Sequence, residues 1–223
     1  MTHPNPFRMT RDTQKMPTSS SLKAISAAMQ KDAELYAMAL REDGLLPGTL
    51  VATGTGWRKI ETLQPGDMVL TFDNGMQPVT RIHDLTIPYH DLPTHKAFIM
   101  IVPRGVLGNR RQIELLPLQE IIIESDFAEE QYGDPFVLVQ ALMLEGFDGI
   151  HRVPLKNDLR VYLPTFPQEQ LVHTCGMALL TARAESDFSP LDASVHMARR
   201  EYTRLPYADL TALAASLKQE RAA

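Results

Sequence analysis

The chain has 223 residues, 44% of them hydrophobic, a single cysteine and a net charge of −5. That is enough apolar material for one core of ordinary size, and it excludes an intramolecular disulfide and a cysteine-rich zinc module. No apolar run reaches the ~18 residues of a membrane span, and the acidic balance argues against nucleic acid as a partner.

Charge is unevenly spread. Residues 1–31 carry five basic residues and one acidic, and 199–223 carry five basic and three acidic, so 32–198 sum to −11. Weakly basic tails on an acidic body read most simply as solvated ends. The first 20 residues are polar and hold Pro4, Pro6 and Pro17 without an apolar stretch. No secretory signal is expected, and a cytoplasmic location is the default.

In chain order, residues 1–18 read as a mobile arm. Residues 19–43 read as a helical lead-in, with Leu22, Ile25, Met29, Tyr36 and Leu40 near one face and Ser19–Ser21 as the N-cap. Gly44 is placed to end that helix. Residues 44–184 read as a β-domain. "TLVAT" and "WRKIETL" flank Gly54 and Gly56, and "DMVLTFD" and "MQPVTRI" flank Asn74-Gly75, a two-residue hairpin signal. "KAFIMIV", "QIELL", "EIIIES", "LRVYLPTF", "EQLVHTC" and "MALLTA" continue as short strands, whereas "DPFVLVQALML" reads as a short helix. Residues 185–223 read as a helical tail. Leu191, Val195, Ala198, Tyr202 and Leu205 step at helical spacing, Pro206 breaks that helix or starts another, and Leu210, Leu213, Ala214 and Leu217 follow.

The stretch "LLPGTLVATGTGWRKIETLQPGDMVLTFDNGMQPV" resembles the opening of the Hint domain, the hedgehog/intein autoprocessing module. It is most similar to a bacterial subfamily of Hint-domain-containing proteins. "IVPRGVLGNRRQIELLPLQEIII" and "QYGDPFVLVQALMLEGF" are similar to two later blocks of that family, in the same order. The resemblance implies a mostly β fold, a horseshoe of bent antiparallel strands, here with helical extensions at both ends. It also implies a reaction in which a first-position Cys or Ser attacks the preceding carbonyl. A histidine of the middle block then protonates the departing amide nitrogen.

On this chain the first position falls at Gly44, which has no side chain. The middle block's histidine falls at Gln119, which can hydrogen-bond but cannot transfer a proton near neutral pH. A later family histidine falls near Glu169. "LVHTCG" is similar to an intein's end, but Thr174 stands where a cyclising Asn would be. His173 and Cys175 are two apart, so on a strand they would share a face, as a weak alternative dyad.

Other candidates are weaker. His83, His90 and His95, near Asp84 and Asp91, match no zinc spacing. The acidic run Glu124–Asp134 reads as a solvated loop without calcium-loop spacing. Arg104–Arg111 reads as a structural turn, with anion binding through Gly105 and Gly108 as the alternative. Trp57 reads as a core residue. The expectation is a Hint scaffold without Hint chemistry, needing no cofactor or metal. It would act in binding or assembly with another protein or a second copy through its helical tails. The alternative is self-cleavage through Cys175 with His173.

Overall fold

A computed structural model describes residues 44–92, 97–176, 178–182, 184 and 202–220, all within the compact unit Leu35–Ala223. The expected arm 1–18, the helix 19–43, the positions Leu191, Val195 and Ala198, and His95 lie outside the described residues.

The described body is mostly β. Its strands are β1 (Leu50–Thr53), β2 (Gly56–Lys59), β3 (Met68–Thr71), β4 (Gly75–Pro78), β5 (Arg81–Ile87), β6 (Phe98–Val102) and β7 (Ile113–Leu115). They continue as β8 (Glu120–Glu124), β9 (Phe136–Gln140), β10 (His151–Pro154), β11 (Leu159–Thr165), β12 (Gln170–Thr174), β13 (Ala178–Ala182) and β14 (Thr203–Arg204). Two helices join them, α1 (Asp126–Tyr132) and α2 (Leu210–Glu220). Among the described residues, one sheet runs β14-β9-β8-β13-β12-β1-β3-β4 with β2 paired to β1; β10-β6-β7 and β11-β5 form smaller sheets. Pairing between these strands is antiparallel except where β14 joins β9 in parallel.

Strand alternation sets which faces meet. On β3, Val69 and Thr71 are buried and Met68 and Leu70 exposed. The inner face of the large sheet, with Val51, Val69, Ile121, Val137, Val139, Val172 and Leu180, packs into the main core. Leu213 and Leu217 of α2 join the same core, so this tail helix completes the body. A second cluster, Leu46, Ile87, Leu92, Leu116, Leu159, Val161 and Leu163, lies around β11 and β5.

Five expectations are corrected. Trp57 is 43% exposed rather than in the core. It pairs with Ala52 on the outer face, the face that also carries Met68, Leu70 and Met76. The β3–β4 connection holds three residues, Phe72 to Asn74, rather than two, because Thr71 pairs with Gly75 at φ 63°. "DPFVLVQALML" is strand β9 followed by a 3-10 turn, Ala141–Leu144, rather than an α-helix, because β8 and β14 both pair with it. The run read as an acidic loop contains α1, with Ser125 as N-cap and Gly133, φ 76°, at its end. Thr203–Arg204 is a strand rather than the end of a helix, and Pro206 precedes the turn Tyr207–Asp209 that opens α2.

Polar contacts also hold the tail. Glu220 Oε1 accepts from Ser125 Oγ at 3.1 Å, from the Asp126 amide at 3.0 Å and from Ser216 Oγ at 2.6 Å. A carboxylate is thus set at the positive N-terminal end of α1. Tyr132 donates to Asp209 at 2.5 Å, and its phenol is pushed up to about 12 by burial and by that carboxylate.

Candidate functional site

The site is built where the chain enters the body. Leu45 exchanges backbone hydrogen bonds with Tyr162 of β11, at 2.8 and 2.9 Å, and also bridges Leu115 of β7. This one residue ties two of the sheets and brings Gly44 against the second cluster. A Cβ at Gly44 would lie 2.2 Å from Val161 Cγ1, 3.0 Å from Leu163 Cδ2 and 3.5 Å from Leu116 Cδ1. The backbone there has φ 155°, which L side chains rarely adopt. Glycine is therefore required by space as well as by conformation.

Gln119 follows the turn after β7. Its amide donates to Leu116 O at 3.1 Å, and its carbonyl accepts from Ala141 at 3.0 Å. The backbone is thus fixed on both sides and the side chain, 0% exposed, points inward. Its Oε1 accepts from the Gly44 amide at 2.9 Å. Its Nε2 donates to Thr181 Oγ1 at 3.1 Å, Thr181 O at 3.3 Å and Glu120 O at 3.1 Å. Acceptors surround the nitrogen and a backbone donor faces the oxygen, so the carboxamide has one orientation. A buried polar group paired on both ends is a stable arrangement.

The sequence reading named Gly44 and Gln119, and the fold places them in contact. Glu169 is half-buried at the head of β12, beside Gln170, whose Oε1 accepts from Asn74 Nδ2 at 2.9 Å. Sequence reasoning missed Val161, Thr181 and Leu45. Val161 and Thr181 read only as strand residues, and nothing local to either marks a contact with residues 44 or 119.

His173 and Cys175 have different surroundings. β12 ends at Thr174, and Cys175 turns away at φ 49°, so the strand's alternation stops before it. Cys175 packs in the main core, with its amide bonded to Leu50 O at 2.8 Å. The His173 ring lies 6.4 Å from that of Phe72. Burial pushes the Cys175 thiol up and the His173 imidazole down, the reverse of an activated pair.

The remaining candidates have structural partners. Asp84 is gripped by Arg160 through two bonds, at 2.8 and 2.6 Å, which holds its carboxyl below the usual range. His90 Nε2 lies 3.3 Å from Asp91. In the Arg104–Arg111 loop, buried Asn109 donates to Pro103 O at 2.9 Å and Arg111 O at 2.6 Å, and accepts from the Leu107 amide at 2.9 Å. The loop docks through Arg110 N, 2.7 Å from Cys175 O, while the three arginine residues stay exposed. No helix among the described residues is long and apolar enough to cross a membrane.

No curated protein matches the chain significantly. Among solved structures, a bacterial intein-like domain from Clostridium thermocellum matches at 14% identity and a TM-score of 0.44, over 63% of this chain and 98% of that one. The gp41-1 intein matches at 13% identity and a TM-score of 0.32, over 63% and 98% of the two chains. The family model described as the Hint domain matches residues 44–184. The junction at Gly44, the Gln119 network and the β-strands around them all lie within that match, and the chain belongs to the Hint domain family.

Proposed function

We propose that this chain keeps the Hint scaffold for binding or assembly and does not cut itself. The family's role is autoprocessing, and the observation that carries the departure from it is the Gly44–Gln119 contact. The residue whose side chain would attack is a glycine, with no volume around it for a larger one. The group facing its amide nitrogen is a carboxamide oxygen, locked as an acceptor. Amide cleavage needs the nitrogen to gain a proton, and general acid help is worth about 10²–10⁴ in rate. Losing the nucleophile removes the pathway itself.

The test is the intact mass of the full chain after incubation with buffer, with a small thiol and with hydroxylamine. One species at 25.0 kDa in all three is the expected result. A fragment beginning at Gly44, or one released by hydroxylamine from an ester or thioester, would show that the chain is active.

A further inference from the structure

We propose that Val161 is the residue that closes this site. Its methyl group occupies the volume that any side chain at position 44 would need, so residue 161 decides whether this scaffold can house a first-position nucleophile at all. The inference rests on the reading of Gly44 as the family's first position and deepens it. Loss of the chemistry is then a packing state shared by β11 and the segment carrying Gly44 rather than the absence of one sulfur atom.

The geometry points to Val161 among the three neighbours. At 2.2 Å, its Cγ1 is inside the distance that any real Cβ tolerates, whereas Leu116 Cδ1 at 3.5 Å is in ordinary van der Waals contact. Leu163 Cδ2, at 3.0 Å, is the far end of a longer side chain that can turn aside. Val161 has no such freedom. It is β-branched, so its χ1 is restricted. It is fully buried, and its backbone is registered against Leu85 in the β11–β5 pair. The next residue, Tyr162, is held to Leu45 from both sides. The strand carrying Val161 and the segment carrying Gly44 are therefore fixed to each other one residue away from the clash.

The experiment is a double-mutant cycle on the full chain, read as melting temperature, with Gly44→Ala in four backgrounds: native, Val161→Ala, Val161→Thr and Leu116→Ala. Overpacking of this kind lowers the melting temperature of a chain this size by roughly 3–10 °C. Val161→Ala should recover at least half of the loss caused by Gly44→Ala, even though it costs stability when made alone. Val161→Thr keeps the volume and should recover nothing. Leu116→Ala opens a cavity in the same cluster at the wrong place and should recover nothing either. If Gly44→Ala does not fold, restored folding in the Val161→Ala background gives the same support. Simple addition of the two losses, a double variant that still does not fold, or equal rescue by Leu116→Ala would overturn the proposal. Cleavage of the native chain, by contrast, would refute the non-catalytic reading and leave this packing result standing.

Discussion

The Oε1 atom of Gln119 lies 2.9 Å from the backbone nitrogen of Gly44, in a buried hydrogen bond between residues 75 apart in sequence. It holds the point where the chain enters the β-body.

Removing that acceptor has a defined cost. Gln119→Leu keeps much of the volume but removes the acceptor of the Gly44 amide. An unsatisfied buried donor costs about 1–3 kcal/mol, so the melting temperature should fall by roughly 2–10 °C for a chain of this length. Amide exchange measured by NMR should speed up at Gly44 more than at Leu45, whose bonds to Tyr162 are untouched. Unchanged protection at Gly44 would mean that the bond does not hold the junction.

Regaining the chemistry should take three changes. In Gly44→Cys with Val161→Ala and Gln119→His, the new thiolate attacks the Asp43 carbonyl carbon. The C–N bond breaks, the introduced imidazole gives its proton to the nitrogen, and a thioester remains. An added thiol then exchanges with it and leaves bonded to the N-terminal fragment. Intact mass should show thiol-dependent cleavage in this triple variant and none with Val161 in place. Equal cleavage in both would show that Val161 is no obstacle.

The one cysteine should be inert while the chain is folded. Cys175 is 7% exposed, and burial pushes its thiol up, outweighing the opposing pull of the Leu50 backbone and of Arg111. The thiolate is the reactive form. Ellman's reagent at pH 8 should therefore modify the native chain about tenfold or more slowly than the chain in denaturant. Equal rates would place the sulfur at the surface.

His173 should make stability fall with acid. Burial lowers its pKa from 6.5, so the unfolded chain binds the proton more readily than the folded one. That contribution is complete above about pH 6.5 and is lost as pH falls through the lower folded value. Between pH 7 and pH 5 the melting temperature of His173→Gln should drop less than that of the native chain. Parallel curves would remove His173 as a cause.

The tail helix should be part of the folding unit. Leu213 is fully buried in the main core, so Leu213→Ala should cost about 2–5 kcal/mol in urea unfolding. Glu220→Ala removes the acceptor at the start of α1 and should cost about 1 kcal/mol, as other lost caps do. A Leu213→Ala chain as stable as the native one would mean that α2 does not complete the core.

Local chemistry fixed a good part of this protein. The short apolar runs at β3 and β12, the turn glycines near β2 and β4, and the linked blocks from Leu45 to Phe147 specify strands and family, because each depends on neighbours within a few residues. The same locality explains the failures. An apolar run such as Phe136–Gln140 suits a buried strand or a helix equally, and only pairing with β8 and β14 decides between them. Trp57 reads as core by its hydrophobicity, yet strand β2 turns it to the open face. By residue type alone, Gly44 offers no side chain and Gln119 no transferable proton near neutral pH. That these two meet, that Thr181 orients the carboxamide and that Val161 fills the space beside Gly44 were decided by the tertiary structure, because each contact joins segments far apart in sequence and depends on distances of a few ångströms.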